Sequence, residues 1–346
     1  MSEKEMQNES LSEDDITAAV NELHDAYGRV RKQLGGVIVG MEEVTEQLMI
    51  GILCRGHCIV QGMPGLAKTL LISQLASLMD LSFVRIQFTP DLMPADITGG
   101  DVLEEDRTTG KRDFRFIKGP LFHNLILADE INRTPPKTQS ALLEAMEERQ
   151  MSISGKTYPL PQPFFVLATQ NPVEVEGTYP LPEAQLDRFL MKIKVTYPSL
   201  EDEREICRRQ TTDYSFTPEQ VVDKETLMRM QALVPKVVVA DHVYDAAIHL
   251  ARASRPEEGQ LPNELKDMVQ YGAGPRASIA MLNAAKARAL LNKRYHATTQ
   301  DVYEVAIPIL RHRIIPTFNA EAAGVDTDKI IRVLVENVAN SLKAAG

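Results

Sequence analysis

The chain has 346 residues, 44% hydrophobic and 25% charged, which is an ordinary globular composition with enough length for two domains. Its formal net charge of −10 disfavours broad nucleic-acid binding, because an acidic surface repels phosphate backbones. The acidic start, the absence of a long apolar run and the three cysteines argue against a secretory signal, a membrane span and a disulfide framework, and favour a reducing cytoplasm.

The N-terminal part is predicted to be a tail followed by two helices. Residues 1–15 are acidic and polar, which predicts a disordered tail. Apolar residues recur at helical spacing from Ile16 to Leu34, GGVIVG then breaks the pattern, and MEEVTEQLMIGILC predicts a second helix.

A Cys/His group follows in CRGHC, residues 54–58. Cys54, His57 and Cys58 are only three ligand candidates, and no second Cys/His pair follows at zinc spacing. Cys58 also begins the apolar run CIV, where a small thiol suits a buried strand. We therefore expect strand packing here rather than metal binding.

The middle of the chain alternates between short apolar strands and helices. Strands are predicted at HCIVQG, FVRIQF, NLILADE, FFVLATQ and MKIKV. Helices are predicted at residues 68–79 and at TPPKTQSALLEAMEE, the second with Thr134 as its N-cap and Pro135 at its first position. This alternation predicts an α/β domain, with a parallel five-stranded sheet and helices on both faces.

Two segments interrupt the alternation, and a helical region follows it. Residues 101–117 predict a β-hairpin around TTGK, and residues 150–163 predict another that turns at SGK. Beyond residue 198 the strand signals nearly vanish, which predicts a domain boundary there.

The segment GMPGLAKT, residues 62–69, lies between a predicted strand and a predicted helix. It fits the phosphate-binding pattern G-x-x-x-x-G-K-[ST] except at its sixth position, Ala67. Glycines let the backbone approach a phosphate chain, and the helix N-terminus offers unpaired N–H groups. Lys68 is predicted to reach the β- and γ-phosphates, and the Thr69 hydroxyl to coordinate Mg²⁺. The plainer alternative is a strand-to-helix turn with an exposed lysine.

Polar side chains end two of the predicted strands. In LILADE, Asp129 is placed to hold the water shell of Mg²⁺, and Glu130 is placed to deprotonate the water that attacks the γ-phosphate. In FFVLATQNP, Asn171 could hydrogen-bond that water, since Pro172 ends the strand there. The alternatives are an exposed acidic strand end and an ordinary turn asparagine.

Two arginines complete the predicted site. Arg188 in EAQLDRF could pair with Asp187, or could act as an arginine finger in a neighbouring subunit's site. Arg276 in GAGPRAS opens a helix, where the helix dipole disfavours a cation, so we expect it to face an anion such as the γ-phosphate.

Together, GMPGLAKT, LILADEINRTPPKTQSALLEAMEER, ATQNP, GTYPLPEAQLDRF and GAGPRAS closely resemble the MoxR family of AAA+ ATPases, over about residues 20–315. The resemblance implies a P-loop AAA+ core at residues 16–198 and a C-terminal all-α lid domain at residues 199–346. The two hairpins are similar to the helix-2 insert and the pre-sensor-1 hairpin of this clade. An alanine at the sixth position of the glycine loop, here Ala67, resembles the form of the loop found in this family.

The resemblance also implies roles for single residues. Asp129 and Glu130 resemble the Walker B pair, Asn171 sensor 1, Arg188 the arginine finger and Arg276 sensor 2. The metal would be held through Thr69 and Asp129. The residues implied to bind ATP are Val39, Gly40, Gly62, Met63, Pro64, Gly65, Leu66, Ala67, Lys68, Thr69 and Leu70.

ATP and Mg²⁺ are therefore the expected cofactors. Members of the family form rings, usually hexamers, and are thought to act as chaperones with partners that carry a von Willebrand factor A domain. They often assist metal-cofactor insertion or the maturation of a complex. This chain has no such domain, so we expect its partner to be a separate protein that acts on a client complex.

Three other functions remain open from the residues. A nucleic-acid motor would use the hairpin cations Lys111, Arg112 and Arg115, although nearby acids balance them at Glu104, Glu105, Asp106 and Asp113. A magnesium-chelatase subunit shares the inserts, but its own signatures are not evident. A nucleotide-binding scaffold would not need the water-activating Glu130. No N-K-x-D motif occurs, which disfavours GTP.

Overall fold

A five-stranded parallel sheet forms the centre of the first part of the chain. The computed structural model describes residues 13–105, 112–170 and 178–345. The strands are β1 Cys58–Gly62, β2 Phe83–Gln87, β3 Gly99–Glu105, β4 Arg112–Lys118, β5 Leu125–Asp129, β6 Gln150–Ile153, β7 Lys156–Pro159, β8 Phe165–Gln170, β9 Met191–Val195, β10 Val269–Tyr271 and β11 Ile315–Pro316.

Helices flank this sheet and make up most of the rest. They are α1 Glu13–Val37, α2 Glu42–Leu53, α3 Lys68–Leu78, α4 Pro94–Thr98, α5 Pro136–Glu148, α6 Glu183–Leu186, α7 Leu200–Gln210, α8 Lys224–Leu233, α9 Asp241–Ala253, α10 Pro275–Leu291, α11 Thr299–Leu310, α12 Phe318–Ala322 and α13 Thr327–Ala345. None of the helices in the described ranges is both long and apolar enough to cross a membrane.

The sheet has the strand order β2-β5-β8-β1-β9, and each neighbouring pair is parallel. Successive residues of β5 face opposite sides, with Leu125 and Leu127 in one apolar cluster and Ile126 and Ala128 in another. Both faces are covered, which explains why the strand is a continuous apolar run. The predicted α/β fold with five parallel strands is confirmed.

Both predicted hairpins are present. Strands β3 and β4 pair antiparallel, as do β6 and β7, which are joined by a two-residue turn at Ser154 and Gly155. Both turn residues have positive φ, the combination that a tight hairpin turn requires. The rings of Phe116 and Tyr158 stack with centroids 4.3 Å apart, so the two hairpins support each other. The predicted turn TTGK lies outside the described residues.

Helix α1 is longer than predicted at both ends. It begins at Glu13, inside the predicted tail, while residues 1–12 lie outside the described ranges. It also continues through Gly35 and Gly36 to Val37. Arg209 donates to the Gly35 carbonyl at 2.8 Å and Tyr214 donates to the Gly36 carbonyl at 2.9 Å. These side chains satisfy carbonyls that a helix end leaves unpaired, which the local pattern does not show.

Helix α5 begins one residue later than predicted. Its N-cap is Pro135 and its first residue is Pro136, so the assignment of Thr134 as the N-cap is wrong. A proline disfavours helical backbone in the residue before it, and Pro135 is accordingly extended, with ψ of 152°. The Thr134 hydroxyl instead donates to the Thr89 carbonyl.

The lid is helical apart from one short ladder. Strands β10 and β11 pair antiparallel, an addition to the all-α domain that the sequence predicts. Strands of two and three residues are too short to show a period of two. The predicted boundary near residue 198 falls between β9 and α7, and it stays a prediction.

The lid packs against one face of the core. Helix α11 contacts β9, while α10 contacts α1 and α2. After α11 come Arg311, His312 and Arg313, which we call the lid clasp. Arg311 donates to the Lys192 carbonyl of β9 at 2.6 Å, and His312 donates from Nε2 to the Phe189 carbonyl at 3.0 Å.

Arg313 makes the most extensive contacts of the clasp. Its side chain is 4% exposed, and it pairs with the Asp187 carboxylate at 2.8 Å. It also donates to the carbonyls of Phe189 at 2.7 Å and Leu190 at 3.1 Å. The clasp therefore fixes the lid to the segment between α6 and β9, which carries Arg188.

Candidate functional site

The glycine loop lies at the carboxyl edge of the sheet, between β1 and α3. Gly62 pairs with Val195 of β9, and a Cβ on Gly62 would lie 2.7 Å from the Val195 carbonyl oxygen, so only glycine fits. Gly65 and Ala67 have left-handed φ angles of +81° and +51°, which curve the backbone around a pocket. An L-residue in that conformation costs about 1–2 kcal/mol, which explains why the general pattern has glycine at the position of Ala67.

The loop lines a pocket of about 460 Å³, which we call the glycine-loop pocket. Its lining is Pro64, Gly65, Leu66, Ala67, Lys68, Thr69, Leu70, Arg85, Asp129, Glu130 and Thr169. The pocket thus unites the predicted loop with both predicted acids.

Lys68 opens α3 and points back along the loop. Its Nζ donates to the carbonyls of Gly62 at 2.5 Å and Met63 at 2.9 Å. Partial burial lowers the pKa of the Lys68 ammonium, and the charges of Asp129 and Glu130 oppose that shift. Gly62 and Met63 do not line the pocket themselves, and their carbonyls contact Lys68 instead.

The acid pair is oriented by Thr169 of β8. The Thr169 hydroxyl donates to Asp129 Oδ1 at 2.5 Å and accepts from the Glu130 backbone N–H at 2.8 Å. Glu130 has a left-handed φ of +57°, so the chain turns sharply between the two acids. No separate sequence signal pointed to Thr169, although it stands two residues before Asn171.

Two polar residues of β2 also belong to the site, and the sequence analysis missed them. Arg85 donates to Asp129 Oδ2 from Nε at 2.9 Å and from Nη2 at 2.6 Å. Gln87 donates to Glu130 Oε2 at 2.7 Å, and Arg133 donates to the same oxygen at 2.9 Å. Both residues of β2 interrupt an apolar strand, and that was the available signal.

A second pocket, of about 370 Å³, adjoins the first and shares Gly65, Leu66, Ala67 and Leu70 with it. We call it the base pocket. Its other walls include Val39 as well as Tyr197, Ile206 and Cys207 near and on α7, which the sequence did not single out. These mostly apolar walls suit a flat heterocyclic ring.

Gly40 shapes the chain beside the base pocket without lining it. It has a φ of +73°, and a Cβ on it would lie 2.7 Å from the Asp202 carboxylate. Glycine is therefore required there for conformational and steric reasons.

Arg188 and Arg276 lie together, and neither lines the glycine-loop pocket. Arg188 pairs with Glu147 of α5 at 2.6 Å. Arg276 lies 3.8 Å from the other oxygen of Glu147 and 3.5 Å from Asp187. Within one chain the anions that Arg276 faces are these two carboxylates, and its place at a γ-phosphate stays a prediction. Asn171 lies outside the described residues, so its role stays a prediction.

The CRGHC segment packs as an ordinary part of the core. Cys58 begins β1 and is buried, as predicted. His57 donates from Nε2 to the Met146 carbonyl at 3.1 Å, and its Nδ1 accepts the Val166 N–H at 3.0 Å. Burial lowers the pKa of His57 to about 4, so the ring is neutral with both nitrogens engaged.

The donors of the glycine-loop pocket suit Mg²⁺. Thr69 and Asp129 supply a hydroxyl and a carboxylate, and hard cations prefer such oxygen ligands. Across the described ranges, His, Cys, Asp and Glu side chains form no group of three that could hold a metal ion. A metal in this pocket would therefore take part of its coordination from a bound nucleotide and from water.

Comparison with known proteins agrees with this site. The model of the ATPase family associated with various cellular activities (AAA) matches residues 57–191, and that of the AAA lid domain matches residues 264–333. A structure of a protein described as an ATPase, from Cytophaga hutchinsonii, has a TM-score of 0.84 and 43% identity, and covers 92% of this chain and 96% of its own.

Similar sequences share nearly the full length. Chaperone MoxR1 of Mycobacterium tuberculosis is 42% identical over 94% of this chain and 84% of its own length. The uncharacterized protein YeaC of Bacillus subtilis is 39% identical over 92% of this chain and 95% of its own length. The protein MoxR of Methylorubrum extorquens is 29% identical over 93% of this chain and 97% of its own length. With this identity, coverage and pair of matched domains, the chain belongs to the MoxR family of AAA+ ATPases.

Proposed function

We propose that this protein is a Mg²⁺-dependent ATPase that assembles into a ring and remodels a protein client. The observation that carries the proposal is the pocket that joins the glycine loop, Lys68, Thr69, Asp129 and Glu130, and continues into the base pocket. In this arrangement the phosphates of ATP lie along the loop and the adenine lies against Val39.

The residues divide the chemistry of ATP hydrolysis among them. Lys68 and the loop N–H groups stabilise negative charge on the phosphates, and Glu130 accepts a proton from the attacking water. Asn171 orients that water, as the family resemblance implies. Thr69 and Asp129 would hold Mg²⁺, which when bound neutralises charge on the β- and γ-phosphates.

The position of the two arginines supports a ring. Glu147 pairs with Arg188 and lies near Arg276, both arginines are partly exposed, and neither lines the chain's own pocket. A neighbouring copy that presents its pocket to these arginines would receive both cations. We therefore propose that each catalytic site is shared between two subunits, in a hexamer as in other members of the family.

The first hairpin supports a protein client over nucleic acid. Arg112 and Arg115 pair with Glu105 at 3.0 Å and Glu104 at 3.2 Å, so their charges are already compensated. The cross-strand pair Leu103 and Phe114 is 50% and 75% exposed. An exposed apolar pair suits contact with a protein chain.

A relative of this chain is named a chaperone, which supports the same role here. We propose that the protein acts in the cytoplasm with a partner that carries a von Willebrand factor A domain, to mature a client complex or to insert its metal cofactor. Affinity capture from native cells with Glu130→Gln protein should retain such a partner. Recovery of clients without any protein of that domain type would contradict the partner assignment.

The direct test of the activity is phosphate release from ATP by the assembled protein, with and without Mg²⁺. We expect release with Mg²⁺ and loss of release in excess chelator. Lys68→Ala should abolish nucleotide binding, whereas Arg115→Gln on the exposed hairpin should leave it unchanged. An assembled protein that neither binds adenine nucleotides nor releases phosphate would refute the proposal. Tight, salt-dependent binding of single-stranded DNA would favour the motor alternative.

A further inference from the structure

Arg85 occupies one oxygen of the Asp129 carboxylate, the side chain that is proposed to hold Mg²⁺. Both Arg85 donors reach Asp129 Oδ2, at 2.9 and 2.6 Å, and these two bonds match the two lone pairs of that oxygen. The other oxygen, Oδ1, already accepts the Thr169 hydroxyl at 2.5 Å. A cation held at Oδ2, directly or through its water shell, therefore competes with Arg85 for the same lone pairs.

The geometry allows Arg85 to move while Asp129 stays. The Arg85 side chain is 49% exposed, whereas that of Asp129 is 13% exposed and is fixed on its other side by Thr169. Arg85 also lines the same pocket as Lys68 and the glycine loop. A guanidinium released from Asp129 therefore remains within the pocket, where it can pair with a phosphate oxygen.

Gln87 links Arg85 to the second acid. Its Oε1 accepts from Arg85 Nη2 at 2.7 Å, and its Nε2 donates to Glu130 Oε2 at 2.7 Å. This amide orientation is fixed by chemistry, since a guanidinium can only donate and a carboxylate can only accept. When Arg85 leaves, the Gln87 amide loses the partner that fixes its orientation, while Arg133 still donates to Glu130 Oε2 at 2.9 Å.

We propose that Arg85 competes with Mg²⁺ for the Asp129 carboxylate, and that Arg85, when it gives up this carboxylate, also frees the Gln87 amide that contacts Glu130. The inference rests on the proposed nucleotide site and adds to it a positioning residue on β2. It explains how the acid pair keeps its charge compensated when no metal ion is bound.

The test measures metal binding without turnover. A fluorescent ADP analogue is bound to the protein, and Mg²⁺ is titrated to find its half-saturating concentration. Arg85→Gln should lower that concentration roughly tenfold or more, because a charge-assisted competitor is gone. Arg85→Lys keeps the charge but loses the pair of donors, so it should lower the half-saturating Mg²⁺ concentration by less. Gln87→Leu removes one hydrogen-bond acceptor of Arg85 and should also give a smaller decrease.

Arg115→Gln is the matched control, since it removes another carboxylate-paired arginine that does not line the glycine-loop pocket, and it should leave the Mg²⁺ dependence unchanged. Thermal unfolding of each variant checks that it is folded. A half-saturating Mg²⁺ concentration for folded Arg85→Gln that is equal to or above the wild-type value would overturn the competition. If wild-type protein binds no ADP analogue at any Mg²⁺ concentration, the proposed site itself fails, and this inference fails with it.

Discussion

Mixing two inactive variants should restore activity if each catalytic site is shared between neighbouring subunits. Glu130→Gln removes the proposed base but keeps a carbonyl that can accept from Gln87 and Arg133. Arg188→Ala removes a guanidinium that does not line its own chain's pocket. Each variant alone should be almost inactive, since an arginine finger contributes a factor of about 10³–10⁵ in rate.

The expected recovery follows from the arrangement of the ring. A complete site forms only where the pocket of an Arg188→Ala subunit, which keeps Glu130, faces the surface of a Glu130→Gln subunit that bears Arg188. With equal amounts and random assembly, this holds at about one interface in four, so phosphate release should return to about a quarter of the wild-type rate.

The assay is phosphate release over a series of mixing ratios, with subunit exchange verified by native mass spectrometry of mass-labelled protein. Activity should peak at equal amounts and vanish at both ends of the series. As a control, Arg115→Ala mixed with Glu130→Gln should show only a steady decline as the inactive protein increases. If exchange is complete and no ratio exceeds the sum of the separate activities, the shared site is refuted.

Three further predictions concern stability. Asp301→Asn should lower the free energy of unfolding by about 3–5 kcal/mol in urea titrations, because Asp301 is fully buried and bonded to Arg288 at 2.8 Å and Arg294 at 2.7 Å; a loss below about 1 kcal/mol would contradict this. Ala67→Gly should raise the free energy of unfolding by up to about 1 kcal/mol, since relief of left-handed strain exceeds the added freedom of the unfolded chain; a decrease would count against the strain. His57, whose pKa is lowered to about 4, stabilises the fold fully above its ordinary pKa and loses that contribution as the pH falls towards 4. Urea unfolding of wild-type and His57→Gln protein should therefore converge by up to about 3 kcal/mol between pH 7 and pH 4, and parallel pH profiles would refute it.

The sequence predicted the parts of this protein whose signals are local. The five apolar runs, the glycine loop and the acids after β5 all depend on short-range patterns, and the structure brings the loop and acids into one pocket. Both hairpins followed from turn residues between alternating strands. The family resemblance supplied the roles that no spacing alone could give.

Three of the misses depend on contacts between distant segments. Arg85 becomes part of the site only because β2 lies beside β5, and the order of strands was not predicted. Helix α1 passes two glycines because Arg209 and Tyr214 bind its last carbonyls from another part of the chain. The contacts of Arg276 with Glu147 and Asp187 also join distant segments, and no local pattern predicted them.

The lid clasp has a mechanical consequence for an assembled ring. Arg311 and Arg313 bind the lid to β9 and to the loop that bears Arg188. We therefore expect the lid and this loop to move together as one rigid body. In the proposed ring, a change in the phosphates held by one subunit would therefore act first on the lid and the Arg188 loop of its neighbour. Each movement of a lid and its Arg188 loop would thus follow from the nucleotide state of the adjacent subunit, and such movements would pass around the ring in one direction.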